Sequence, residues 1–142
     1  MEPAAARSDD GSFGRARIVR VLIVDDEANQ LRALSIGLSL DGFDVALAET
    51  SVQALQLLAE EKPFDVALLD LMMPGLNGLE LARQIRRTHP EMQIVLTSAY
   101  HLSARQLERA DCGASGFVPK PCRLHELASF LRSKAAASPP RS

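Results

Sequence analysis

Five short apolar runs recur along this chain, with helix-period stretches between them. They are Arg20–Val24, Asp44–Leu47, Asp65–Leu69, Gln93–Thr97 and Gly116–Val118. Runs this brief and this rich in Val, Ile and Leu predict strands buried on both faces, as in parallel sheets. Between them, Leu31, Leu34 and Leu38 lie on one helical face, with Gly42 placed to stop the helix. Leu55, Leu58 and Ala59 mark a second helix, with Thr50 and Gln53 at capping-box spacing at its start. Leu81, Ala82 and Ile85 mark a third, opened by Asn77 and Glu80, and Leu124, Leu127, Ala128 and Leu131 mark the last. A further helix over about Leu102–Asp111 is sparsely apolar, so it is the element expected to shift most easily. Strands alternating with helices imply a parallel sheet joined by right-handed crossovers and covered on both faces.

Composition narrows the class of protein. A chain of 142 residues with 46% apolar content is one domain with enough material for a core. The 16 basic and 18 acidic residues nearly balance, which gives no reason to expect nucleic-acid or membrane-surface binding. Two cysteines make no disulfide framework, no apolar run is long enough to span a membrane, and the polar N-terminus lacks a signal peptide's apolar stretch. A cytoplasmic location is therefore expected. No repeat of domain-building length is present. Residues 1–17 and 135–142 lack periodicity and are expected to be flexible tails around an ordered domain over residues 18–134.

In parallel sheets ligands bind beyond the carboxyl ends of the strands. Asp25 and Asp26 follow the first predicted strand, Asp70 the third, Ser98 the fourth and Lys120 the fifth. Three carboxylates, a hydroxyl and an ammonium thus converge on one edge. Two like charges about 4 Å apart repel by about 4 kcal/mol at an effective dielectric of 20. Lys120 offsets part of that repulsion, and a hard divalent cation with oxygen ligands, Mg²⁺, suits the rest. Taken singly, Asp26 reads as a helix cap, Asp70 as a turn residue, Ser98 as a turn hydroxyl and Lys120 as a solvated lysine. Their convergence favours a site. His89, His101 and His125 show no metal spacing, Cys112 and Cys122 read as free thiols, and Arg83, Arg86 and Arg87 read as a solvated helix face.

These residues carry a resemblance. VLIVDDE (Val21–Glu27), LLDLMMPGLNGLE (Leu68–Glu80), IVLTSAY (Ile94–Tyr100) and GASGFVPKP (Gly113–Pro121) resemble, in order and spacing, the receiver domain of two-component response regulators. The resemblance runs from about Arg20 to Leu131. It implies a flavodoxin-like (βα)5 fold, a doubly wound parallel sheet of five strands in the order 2-1-3-4-5. It implies that Asp70 accepts a phosphoryl group from a sensor histidine kinase or histidine phosphotransfer protein. It implies direct Mg²⁺ ligation by Asp26, Asp70 and the Met72 carbonyl, with Asp25 acting through water. Lys120 and Ser98 would contact the phosphoryl oxygens, with Thr97 the competing hydroxyl, and Ser98 and Phe117 would form the switch. Pro74 and Gly78 match the family loop after the acceptor, where Gly75 and Gly78 serve backbone geometry.

Met72 and Tyr100 fall at family positions flanking the acceptor pocket. Both are bulky, so slow loss of the phosphoryl group is expected. No free-standing enzyme is implied beyond catalysis of the domain's own Mg²⁺-dependent phosphorylation and dephosphorylation, and the downstream protein target is not indicated. A phosphorylation-independent interaction module is the alternative, although no acidic or lysine position of the pattern is lost. An aspartyl-phosphate phosphatase fits less well, because no second Asp follows at Met72. A flavodoxin-type ligand binder lacks its phosphate loop after the first strand.

Overall fold

The computed structural model describes residues 18–60, 63–71, 78–98, 105–106, 112–120 and 122–136. Within these lie five strands and four helices. They are β1 (Arg20–Val24), α1 (Ala28–Leu40), β2 (Asp44–Ala48), α2 (Ser51–Glu60), β3 (Val66–Asp70), α3 (Gly78–Thr88), β4 (Gln93–Ser98), β5 (Gly116–Pro119) and α4 (Leu124–Ala136). The strands form one parallel sheet in the order β2-β1-β3-β4-β5. That is the doubly wound order expected. Of the helix predicted over Leu102–Asp111, only Arg105 and Gln106 fall within the described residues, helical and exposed. Among the described residues, no helix is long and apolar enough to cross a membrane.

Side-chain alternation along the strands builds two cores. Val21, Ile23, Val66, Leu68, Val95 and Val118 face α1 and α4, where Leu31, Leu38, Leu127 and Leu131 close the layer. Leu22, Val24, Ala67, Leu69, Ile94 and Leu96 face α2 and α3. The central strands β1 and β3 are buried along their whole length, whereas the edge strand β2 is only half covered.

Local sequence explains the helix ends. Past Asp41 the chain turns through Gly42 at φ 95°. Phe43 N–H then donates to Leu38 C=O at 3.0 Å and Gly42 N–H to Ser39 C=O at 3.1 Å, a Schellman closure. At α2, Gln53 N–H donates to Thr50 Oγ1 at 3.1 Å, while the Gln53 side chain accepts from Glu49 N–H at 2.7 Å. This is a capping box whose return bond lands one residue early.

Some expectations shift. β3 begins and ends one residue later than the apolar run, and β4 extends to Ser98, because the ladder continues through Asp70 paired with Thr97. Polar residues at strand ends are invisible to a hydrophobicity pattern. In α2, Ala54 is buried and Ala59 is exposed, since the inward face follows Ser51, Ala54 and Leu58. Leu124 is 39% exposed. It lies over Gly37 of α1, where a Cβ would overlap it. The last helix continues beyond Lys134 to Ala136, with Ala135 buried. Arg86 is more than a solvated residue: its guanidinium donates to the carbonyls of Pro90 and Gly113, tying the end of α3 to the segment before β5.

Gly78 opens α3 directly against the end of β3. A Cβ there would lie 2.5 Å from the Asp70 carbonyl oxygen and 2.8 Å from Leu71 Cα. Both obstacles are backbone, so relief requires moving the helix or the strand end. Gly78→Ala should cost about 1–3 kcal/mol in urea unfolding and shift the Asp70 amide resonance. Gly42→Ala, strained only by its positive φ, should cost about 1–2 kcal/mol with the Asp70 resonance unmoved. A Gly78→Ala protein as stable as the parent would show that α3 has slack at this contact.

Candidate functional site

The register of the sheet assembles the site. Val24 pairs with Leu69, so one step further along each strand places Asp25 beside Asp70. Both carboxylates are on the α1/α4 side, and both residues are buried, at 2% and 5% exposure. Asp26 is exposed at the start of the loop into α1. One carboxylate oxygen from each of Asp25, Asp26 and Asp70 lies within 4.8 Å of the others.

The cap reading of Asp26 does not hold. The N-cap of α1 is Glu27, and no side chain caps it. Asp25 instead accepts the Glu27 N–H at 3.0 Å through Oδ1. Its other oxygen accepts from Lys120 Nζ at 2.8 Å. Asp25 is therefore held on both oxygens, while Asp26 makes no hydrogen bond or ion pair among the described residues and is free to turn.

Lys120 leaves the end of β5, where its backbone N–H donates to Ser98 C=O at 2.9 Å. Its ammonium meets Asp25 Oδ2 at 2.8 Å, Gln30 Oε1 at 2.9 Å and Asp70 Oδ2 at 3.3 Å. Three N–H donors thus have three acceptors. Burial is the largest single influence on Lys120 and pulls its pKa down, but the hydrogen bonds and charges of Asp25 and Asp70 together hold it above the usual 10.5. The ammonium is charged throughout the neutral range. Three carboxylates against one ammonium leave a net local charge of −2.

The donor set suits Mg²⁺. All three side chains offer hard carboxylate oxygens, and the exposed side at Asp26 leaves room for the waters that Mg²⁺ keeps. Asp26 can turn toward an ion, whereas Asp25 is held by Lys120 and Glu27 and Asp70 by Lys120.

The predicted hydroxyls separate. Thr97 pairs with Asp70 in the ladder and shares the α1/α4 side with it. Ser98, 1% exposed, points to the opposite side, which Phe117 of β5 shares. Phe117 is half-buried and packs against the α2/α3 core. Met72, Pro74, Gly75, Asn77, Tyr100, His101 and Pro121 lie outside the described residues, and with them the expected Met72 carbonyl ligand and the Met72 and Tyr100 flanks. Gln30 is a site residue that sequence reading missed. A polar residue in the first turn of a helix reads as solvated, and only the reach of the Lys120 side chain from beyond β5 shows that the two meet.

Residues 21–132 match the family model of the response regulator receiver domain. Over 115 residues the chain is 39% identical to the response regulator MprA of Mycobacterium sp. strain KMS, covering 81% of this chain and 50% of that protein. It is 38% identical, over the same length and shares, to MprA of Mycobacterium tuberculosis strain CDC 1551. The chain thus spans about half the length of the curated relatives it matches. Among solved structures, a CheY-like receiver domain protein from Methanospirillum hungatei JF-1 superposes with a TM-score of 0.77 at 26% identity, covering 84% of this chain and 95% of that one. TrrA from Thermotoga maritima, solved in complex with Mg(2+)-BeF, superposes with a TM-score of 0.72 at 31% identity, covering 82% and 99%.

Removing Lys120 leaves two buried carboxylates uncompensated. Lys120→Met should destabilise the metal-free protein by about 1–3 kcal/mol, less than a fully buried pair because the lysine side chain is 22% exposed. Lys120→Met combined with Asp25→Asn should recover part of that loss. Because the folded pKa of Lys120 is raised, its stabilising contribution is complete below pH 10.5 and fades only as pH rises through the higher folded value. Chemical denaturation of the four proteins of this cycle at pH 7 measures the coupling. Additive effects would show that the ammonium does not hold the carboxylates.

Proposed function

Since the chain belongs to the response regulator receiver domain family, we propose that Asp70 is its phosphoacceptor and that phosphorylation switches a protein-interaction face. The observation that carries this reading is the convergence of three carboxylates within 4.8 Å, with the Lys120 ammonium 3.3 Å from Asp70 Oδ2, at the carboxyl end of the sheet. The Asp70 carboxylate attacks a phosphohistidine phosphorus, the P–N bond breaks as the P–O bond forms, and the imidazole leaves. Asp26, Asp70 and the Met72 carbonyl would hold Mg²⁺ directly, with Asp25 acting through bound water, and the bound ion would orient the oxygens and offset their charge. The TrrA complex with Mg(2+)-BeF supports giving these carboxylates that ion.

Lys120 then turns from the Asp70 carboxylate to a phosphoryl oxygen. Ser98, at the end of the neighbouring strand, donates to another, and Phe117 follows on the same side of the sheet. The face changed by that movement includes β5 and α4. The donor is a histidine kinase or histidine phosphotransfer protein, and the target is a protein that reads this face. The receiver, expected over residues 18–134, runs on to the end of α4 at Ala136.

Incubation with a small phosphodonor such as acetyl phosphate and Mg²⁺ should add one phosphoryl mass, removable by hydroxylamine. Asp70→Asn and chelator should each abolish it. Asp26→Ala should weaken Mg²⁺ binding at least tenfold while raising the stability of the metal-free protein, because it relieves repulsion. A full-yield adduct on Asp70→Asn would place the acceptor elsewhere. No adduct on the parent would favour a phosphorylation-independent module.

A further inference from the structure

The α1/α4 side of the sheet contains a cavity of about 410 Å³ beside the acidic cluster. Its floor is Ile23, Leu68 and Val118, and its walls are Leu34 and Leu127. Ala33 and Cys122, both exposed, stand at its mouth. Asp25, Gln30 and Lys120 form its polar end, where the Lys120 ammonium donates to both of the others. Size and lining match small-molecule sites, where a mostly apolar wall surrounds a few polar groups.

Thr97 distinguishes this cavity from a packing gap. It lines the space and is only 8% exposed. Its carbonyl accepts from Leu71 N–H at 2.9 Å, but among the described residues its hydroxyl has no hydrogen-bond partner. Buried polar groups are rarely left so, and valine would fill the same volume without an orphaned hydroxyl. A single water occupies about 30 Å³, so satisfying one hydroxyl needs no cavity of this size.

The surroundings also set the charge of an occupant. All three N–H donors of Lys120 are engaged, so none remains for an anion, and the carboxylates repel one. A cationic head at Thr97 would face the same ammonium. We propose that the cavity binds a small, uncharged, amphipathic molecule. Its apolar body lies between α1 and α4, and its hydroxyl-type head bonds to Thr97 Oγ1. The cavity shares Asp25 and Lys120 with the acceptor cluster, but Asp70 is not part of its lining.

The test titrates the full chain, free of metal and phosphodonor, with 4-ethylphenol, ethylbenzene and 4-ethylbenzoate, following amide shifts. The phenol should saturate at submillimolar concentration, with shifts centred on Ile23, Leu68, Thr97, Val118 and Leu127. Ethylbenzene should bind about fivefold more weakly, and 4-ethylbenzoate should not bind measurably. Thr97→Val should equalise phenol and hydrocarbon, Thr97→Ser should restore the difference, and Ala33→Phe at the mouth should weaken both. No saturable binding of the phenol, shifts confined to exposed Ile36 and Leu40, or an undiminished phenol preference in Thr97→Val would each overturn the proposal. Because the titration includes neither Mg²⁺ nor phosphodonor, its result is independent of whether Asp70 accepts a phosphoryl group.

Discussion

Mutual repulsion of Asp25, Asp26 and Asp70 is the constraint around which the molecule is arranged. Their oxygens lie within 4.8 Å of one another, a placement that costs several kcal/mol unless opposed. The opposing force has two parts. Rigid placement comes from β1 and β3, neighbours in the centre of the sheet and buried along their length, whose register sets Asp25 beside Asp70. Local compensation comes from Lys120, delivered from β5 by a backbone hydrogen bond to Ser98. The two cores above and below the sheet supply the stability against which this edge is strained. The Arg20–Asp65–Asp44 network sits at the other end of the same strands, where Arg20 N–H donates to Asp65 at 2.9 Å and its guanidinium to Asp44 at 2.9 Å. One arginine thus faces two carboxylates at the amino edge, and one ammonium faces three at the carboxyl edge.

Much of this was legible in the sequence because the physics is local. Runs such as RVLIV can be buried on both faces only in a central strand, and the Gly42 stop and the Thr50–Gln53 cap follow from backbone chemistry within a few residues. The residues ending the strands were legible too, since a polar side chain directly after an apolar run must emerge at the sheet's edge. The parts that escaped depend on contacts distant in sequence. Gln30 meets Lys120 across 90 residues. Arg86 reaches Gly113 across 27. Leu124 seemed a core residue by spacing, yet it is half-open because it covers Gly37 rather than the sheet. The role of Asp26 was ambiguous for a different reason: a cap and a metal ligand call for the same residue type, and only the position of the N-cap at Glu27 separates them.

Strand β4 divides the two layers at its last two residues. Thr97 turns toward α1 and α4, beside Asp70, and Ser98 turns toward the layer of α2 and α3, where Phe117 packs. Adjacent hydroxyls therefore belong to different cores. A change at Asp70 that pulls on Ser98 reaches the α2/α3 layer, while Asp70 itself, Thr97 and Lys120 remain on the α1/α4 side beside the cavity.

That separation bears on how large a switch the site can drive. Moving a two-state equilibrium from 1:99 to 99:1 requires a difference of about 5.5 kcal/mol between the states. Hydrogen bonds to a charged group contribute about 1.5–3 kcal/mol each. In the proposed reading, a phosphoryl group on Asp70 gains Lys120 and Ser98 as donors, so two such bonds supply about 3–6 kcal/mol. Lys120 gives up its 3.3 Å contact with Asp70 in the exchange, so its net gain is the smaller of the two. Most of the differential free energy must then come from Ser98, whose hydroxyl starts buried on the other side of the sheet and reaches the phosphoryl group only if the end of β4 moves. The movement that makes this bond also vacates space beside Phe117. In that reading, coupling between phosphorylation and the distal face would be a property of the β4 terminus, and two such bonds would only just reach what a full population shift demands.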